Sequence, residues 1–304
     1  MASLMFESHE ASRTDTININ QMDATNHLNY RYSTALTIAG SDSCGGAGIQ
    51  ADLKTFSALG VYGASVITSV TAQNTTGVRA IQAITPEIVK AQIDAVFEDL
   101  KIDAVKTGML HNSDTVRIVA ESVKLYNPKW LVVDPVMIST SGSKLLEDEA
   151  IELIVEELFP IASLITPNTD EAKFLSGVSI NSVSDMYKAA EKLLEKGCKA
   201  VLMKGGHLIG DEMTDILISN DGSEPLKLIS ENINTVNTHG TGCTLSSAIA
   251  AFLAKGCDLQ QAVREGKNYI SEALKGGSDV YIGAGHGGVN HFTSPIPLIK
   301  ISRD

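Results

Sequence analysis

Cysteine is scarce in this 304-residue sequence, and its four copies (Cys44, Cys198, Cys243 and Cys257) lie far apart, with no C-x-x-C spacing and no histidines at metal-ligand distances. A disulfide framework and a zinc site are therefore disfavoured, and a reducing compartment, the cytoplasm, fits best. Positive charge is also short: 24 Lys and Arg face 36 Asp and Glu, a formal net charge of −12. Proteins that grip a nucleic-acid backbone show a basic face, so that class is disfavoured, although one local basic spot for a nucleotide is not. No apolar run approaches the length that spans a bilayer, so no membrane role is expected. The string G-x-x-x-x-G-K-[ST] is missing, and the pair Gly266-Lys267 is followed by Asn268. Gly46-Ala47-Gly48-Ile49-Gln50-Ala51 has the glycine spacing of a dinucleotide fold, but no acid stands between Asp52 and Glu87 to hold a ribose, which makes a dehydrogenase improbable. The H-R-D and D-F-G strings of protein kinases are missing as well.

What is present is a steady alternation. With 43% hydrophobic and 20% charged residues the composition is that of a folded protein with an ample core. Residues 1–33 are polar and aperiodic, with no apolar h-region, and read as a flexible tail; their acids Glu7, Glu10, Asp15 and Asp23 disfavour an organellar leader. From Thr34 onward, short apolar runs ("ALTIAG", "SVITSVTAQ", "AVKTGML", "WLVVDPV", "SLITP", "AVLMKGG") end in Gly, Pro or polar residues. Between them lie segments of helical period. "TPEIVKAQIDAVFEDL" opens with Thr85 as N-cap and Pro86 at the first helical position, and "SVSDMYKAAEKLLEKG" opens on Ser182-x-x-Asp185 and closes at Gly197. Apolar strands alternating with amphipathic helices predict one α/β domain over residues 34–304, a mostly parallel sheet with helices on both faces.

Such sheets bind ligands beyond the carboxyl ends of their strands. Polar clusters stand there: Gly40-Ser41-Asp42, Gln73-Asn74, Lys106-Thr107-Gly108-Met109, Asp134-Pro135, Thr166-Pro167-Asn168 and Lys204-Gly205-Gly206. Near the C-terminus, "NTHGTGCTLSSAIAAFLA" runs from Gly-Thr-Gly-Cys straight into an apolar helix. A helix start carries unpaired N–H groups and partial positive charge, which suits an anion and favours a thiolate. A tight turn with a small buried cysteine would look the same. Taken jointly, the clusters suit phosphoryl transfer, which needs donors for the migrating group, a cation, acids for Mg²⁺ and a base near the acceptor hydroxyl. Gly240, Thr241, Gly242 and Cys243 would give the backbone donors, Cys243 the base and Lys204 the cation. Asp134, Asn168 and Glu171 are the oxygen-bearing candidates for Mg²⁺ or its waters. An isolated Asp-Pro is usually a turn, and "NTDEA" is usually a capped helix start.

The stretches "ALTIAGSDSCGGAGIQADLKTFSALGVYGASVITSVTAQNTTGV", "VKTGML", "VVDPVM", "LITPN", "VLMKGGH" and "NTHGTGCTLSSAIAA" closely resemble the hydroxymethylpyrimidine/phosphomethylpyrimidine kinases of thiamine biosynthesis, in the ribokinase-like superfamily. The resemblance runs from Ala35 to Phe292. It implies a central, mostly parallel sheet flanked by helices, and transfer of the ATP γ-phosphoryl group to 4-amino-5-hydroxymethyl-2-methylpyrimidine and then to its monophosphate. It further implies Mg²⁺ and a homodimer. By the same resemblance Gly40, Asp52, Gln73, Met109 and Val136 line the pyrimidine pocket, while Lys204, Asn168, Glu171, Thr238 and Thr241 face ATP. Cys243 stands where many superfamily relatives carry an Asp base, with Gly240 and Gly242 beside it; Cys44 stands where a Ser or similar small residue is expected. The nearest rival is a pyridoxal or pyridoxine kinase of the same superfamily, which "TAQNT" and Asp52 disfavour. A catalytically silent nucleotide-binding protein is the other alternative, and intact Lys204, Asp134, Glu171 and Cys243 argue against it.

Overall fold

Neighbouring residues of the central strands send their side chains into two different cores, and this explains why those strands read as unbroken apolar runs. Leu36, Ile38, Val105, Leu131, Val133, Ile165, Val201 and Met203 enter one core. Ala35, Ala104, Val132, Leu164, Ala200 and Leu202 enter the other. The computed structural model describes residues 29–137, 145–206 and 212–302. Most of the expected tail, residues 1–28, lies outside them, as does His207 of "VLMKGGH".

The strands are β1 (Tyr30–Tyr32), β2 (Thr34–Asp42), β3 (Tyr62–Asn74), β4 (Gly77–Ala83), β5 (Ala104–Thr107), β6 (Leu131–Val133), β7 (Leu164–Ile165), β8 (Ala200–Met203), β9 (Glu212–Ser219), β10 (Leu226–Glu231) and β11 (Lys300–Ser302). The α-helices are α1 (Gly48–Ala58), α2 (Pro86–Asp99), α3 (Ser113–Tyr126), α4 (Asp148–Leu153), α5 (Thr169–Ser176), α6 (Val183–Leu194), α7 (Thr241–Ala254) and α8 (Leu259–Lys275). The nine-stranded sheet has the order β10-β9-β8-β7-β6-β5-β2-β3-β4. From β3 across to β8 every pairing is parallel, whereas β4, β9 and β10 pair antiparallel at the two ends. This is the mostly parallel sheet expected, with antiparallel ends that the sequence reading did not separate out. By contacts, Tyr32–Ile299 form the main unit, and Arg31 and Lys300 fall outside it. The strand pair β1 and β11 forms a sheet of its own, so the last stretch of the expected tail, Tyr30–Tyr32, is strand.

Helices α2, α3 and α6 cover the first core; α1, α7 and α8 cover the second. Pro86 opens α2 as expected, although the Thr85 side chain makes no cap bond, and the Ser182 hydroxyl caps α6 by accepting the Asp185 N–H. Helix α7 differs from the rest because it is apolar around nearly its whole circumference, with Cys243 through Ala251 buried. A helix enclosed on all sides has its axis fixed by packing, so its N-terminus is held at the strand ends rather than turned to solvent.

Candidate active site

Helix α7 is preceded by its N-cap Gly240, whose φ of 79° is left-handed and whose added Cβ would stand 1.8 Å from the Gly46 carbonyl oxygen. Only glycine fits there. The same contact docks the segment before α7 onto the loop that follows β2. That loop is wound around the Asp42 carboxylate, which accepts N–H groups from Cys44 (2.8 Å), Gly46 (3.0 Å) and Ala47 (2.9 Å). Burial opposes this charge, but His239 and the Ala47 and Cys44 N–H groups outweigh it and hold the carboxyl below its ordinary range. His239 Nε2 lies 2.8 Å from Asp42 Oδ2, and Gln73 at the end of β3 stands 3.2 Å from the same ring nitrogen.

At the first turn of α7 the Thr241 N–H goes to the Thr238 carbonyl at 3.3 Å, which leaves Gly242 and Cys243 to present the first-turn donors. A Cβ on Gly242 would lie 3.3 Å from Lys204 Nζ and 3.7 Å from Asp134 Oδ2. The ammonium is thus placed beside the positive end of the helix, a junction that draws anions. Lys204 pairs with Asp134 at 3.2 Å, and Asp134 also accepts from Thr166 and Ser246, each at 3.1 Å. Burial pulls the Lys204 ammonium down, but Asp134 and Glu171 more than offset it and hold it above its usual range. Burial opposes the Asp134 charge, and Lys204 and Lys106 overcome it, so this carboxyl is held low. Glu171 is raised, by burial and by Asp134, against the pull of Lys204.

These groups open on one cleft of about 1460 Å³, lined by Gly40, Gln73, Met109, Val136, Asp134, Asn168, Glu171, Lys204, Thr238, His239 and Gly240 through Cys243. Pockets for one small ligand measure roughly 300–1,000 Å³, so this cleft has room for more than one small molecule. Gly40 forms part of its floor: a Cβ there would meet Met109 Cε at 2.6 Å and Ser69 Oγ at 2.8 Å.

Several of the expected site residues have partners of their own in the fold. Asp52 does not reach the cleft wall. It is fully buried, paired with Lys106 Nζ at 2.9 Å and bonded by Ser247 at 2.5 Å and Thr37 at 2.6 Å, so its carboxylate is already saturated. Asn168 and Glu171 form a capping box on α5, each side chain taking the other's backbone N–H at 2.9 and 2.8 Å, which commits part of the oxygen set expected to face Mg²⁺. The thiol of Cys243 is raised above its ordinary value, not lowered. Burial pushes it up to about 11; Lys106 opposes this, while Asp52 and Asp134 add to it. With a pKa of about 11, roughly one molecule in 10⁴ is thiolate at pH 7. Alkylation of Cys243 by iodoacetamide, located by peptide mass spectrometry, is therefore expected to rise about tenfold per pH unit from pH 7 to 9. A rate that levels off below pH 8 would show a low-pKa thiol instead.

The sequence reading missed His239 and gave no role to Lys106, although both line the cleft. It also missed the ion pair of Lys267 with Asp215 at 2.6 Å, whose other carboxylate oxygen holds the Gly205 N–H at 2.9 Å. His239 stands next to the Gly-Thr-Gly-Cys stretch and was available as a signal. Lys267 sits within an ordinary amphipathic helix and left none.

A family model described as phosphomethylpyrimidine kinase matches residues 42–290. The hydroxymethylpyrimidine/phosphomethylpyrimidine kinase of Rhizobium meliloti (strain 1021) is 52% identical over 259 residues, covering 85% of this chain and 96% of that one. Among solved structures, the phosphomethylpyrimidine kinase of Clostridium difficile 630 is 50% identical with a TM-score of 0.71, covering 79% of this chain and 99% of its own. The ADP complex of Bacillus subtilis pyridoxal kinase has a TM-score of 0.78 at 37% identity, covering 86% of this chain and 98% of its own. The higher structural score accompanies the lower identity, so backbone shape alone does not separate the two kinds of kinase.

Proposed function

The chain belongs to the phosphomethylpyrimidine kinase family, and from that premise we infer that it phosphorylates 4-amino-5-hydroxymethyl-2-methylpyrimidine with ATP. A second transfer converts the monophosphate to the diphosphate that thiamine diphosphate biosynthesis requires. The fold is the ribokinase-like α/β architecture shared with its solved relatives. One observation carries the reading to the residues: Lys204 Nζ stands against Gly242 in the first turn of α7, and both line the same cleft as Cys243 and Gln73.

In that cleft the first-turn N–H groups of Gly242 and Cys243, together with Lys204, hold the transferring phosphoryl group at the fixed positive end of α7. Of the residues lining the cleft, Thr238, Thr241 and Asn168 are assigned to the nucleotide, and Gln73, Gly40, Met109 and Val136 to the pyrimidine. The acceptor oxygen forms its bond to the γ-phosphorus as the bond to the leaving ADP oxygen breaks, and the hydroxyl proton passes to the Cys243 thiolate. Asp134 and Glu171 are the carboxylates that would hold Mg²⁺. Among the described residues no group of three metal-ligating side chains gathers, which suits an ion carried mainly by phosphate oxygens and water with one or two carboxylates. When bound, the ion neutralises charge on the phosphates. Free thiols at Cys44, Cys198, Cys243 and Cys257 support a cytoplasmic location. A homodimer completes the proposal, and light scattering on the purified chain tests it.

Identity favours the pyrimidine over pyridoxal, at 50% against 37% for the two solved relatives. The test is ATP consumption with the pyrimidine alcohol, its monophosphate and pyridoxal side by side. A preference for pyridoxal over both pyrimidines overturns the reading. Gln73→Ala is expected to raise KM for the pyrimidine about 10- to 100-fold, the loss of a buried hydrogen-bond partner worth about 1–3 kcal/mol. ADP affinity should stay the same, and an unchanged pyrimidine KM would remove Gln73 from the pocket.

A further inference from the structure

The Asp42 carboxylate, already encircled by backbone N–H groups and held in its charged form, can only accept from His239 Nε2 across 2.8 Å, which assigns the ring N–H to that nitrogen. Gln73 Nε2 stands 3.2 Å from that ring nitrogen, and Gln73 Oε1 stands 3.2 Å from Thr71 Oγ1. A ring nitrogen that donates its N–H to Asp42 has no lone pair left to accept one from an amide. A half-turn of the amide exchanges its oxygen and nitrogen without changing its outline. The oxygen then faces the His239 N–H, and the amide nitrogen donates to Thr71 Oγ1, whose own proton goes to the Ser41 carbonyl at 3.0 Å. Every proton in the chain of bonds then has an acceptor. The imidazole is wedged in place, since a Cβ on Gly46 would lie 2.4 Å from its Cδ2.

So oriented, the Gln73 amide retains one oxygen lone pair and one N–H for a ligand in the cleft. That pair matches a 4-aminopyrimidine edge, in which the exocyclic amine donates and the adjacent ring nitrogen accepts; it is the match by which Gln reads adenine. A 4-oxo ring presents the reverse order. Reading it requires the amide to turn back, which sets an N–H against the His239 N–H. We propose that His239 is a positioning residue that locks the Gln73 amide and thereby selects a 4-amino over a 4-oxo pyrimidine edge. The proposal rests on the pyrimidine kinase reading and adds to it the group that sets its specificity.

The experiment measures kcat/KM with ATP for two acceptors, the 4-amino pyrimidine alcohol and its 4-oxo counterpart, in the wild type, His239→Met and His239→Gln, with pyridoxal as a third acceptor. The wild type is expected to favour the 4-amino compound by about 10- to 100-fold, the discrimination of a bidentate amide–base pair. His239→Met frees the amide to turn, so the preference collapses toward parity, chiefly by improved use of the 4-oxo compound. His239→Gln puts an N–H donor back where the ring nitrogen was and restores most of the preference. A structural role alone would depress both acceptors equally. Equal rates in the wild type overturn the proposal even if the Met variant does not fold, and so does a folded Met variant that keeps the full preference. Turnover of pyridoxal with neither pyrimidine accepted overturns the kinase reading itself, a distinct outcome.

Discussion

Cys243→Ala is expected to slow phosphorylation of the pyrimidine alcohol by about 10²-fold at neutral pH, the low end of the 10²–10⁴ range of a positioned general base. The low end follows from burial, which holds the thiol near 11 and leaves little thiolate at pH 7. The same value predicts that wild-type turnover of the alcohol climbs with pH between 7 and 9, where each unit adds about tenfold to the thiolate fraction. The Ala variant should lose that climb. The second phosphorylation supplies a sharper contrast. Its acceptor is a phosphate oxygen, and a phosphomonoester with a second pKa of about 6 is already ionised at pH 7, so no hydroxyl proton has to leave. Cys243→Ala should therefore spare the second transfer while impairing the first. Equal losses on both acceptors would assign Cys243 to packing or to the phosphate cradle and remove it as the base.

Lys204→Met is expected to reduce both transfers by about 10²–10³-fold, because it removes a fixed cation aimed at the transferring group. It should also destabilise the fold. Asp134 is buried, and Glu171 beside it is raised by burial and by that neighbour's charge, so loss of the ammonium leaves the carboxylates facing each other. Breaking one partner of a buried ion pair costs about 3–5 kcal/mol. Adding Asp134→Asn should recover much of the melting temperature without recovering turnover. If the double variant regained activity, Lys204 would be serving only to neutralise Asp134, and the phosphate would sit elsewhere in the cleft.

From the residues alone came the parallel α/β sheet, because unbroken apolar runs of strand length can be buried only when both sheet faces are covered. The polar clusters at the strand ends were legible for a related reason: chain order puts Asp134, Asn168 and Lys204 just past consecutive parallel strands, so the fold class alone brings them to one rim. The Gly240–Cys243 turn likewise announced itself through its glycines, of which Gly240 has a left-handed backbone that other residues rarely adopt. Tertiary structure decided what depends on neighbours distant in sequence. Asp52 read as a pocket carboxylate until Lys106, 54 positions away, was found to saturate it. Cys243 reads from the sequence as an activated thiol, whereas in the fold burial raises it against the pull of Lys106. His239 acquired meaning only beside Asp42, 197 positions away, whose carboxylate accepts a hydrogen bond from its ring. Spacing along the chain fixes which strand end a residue occupies; the charge, protonation and orientation of its side chain depend on solvent exclusion and on partners that only the folded chain brings within 3 Å.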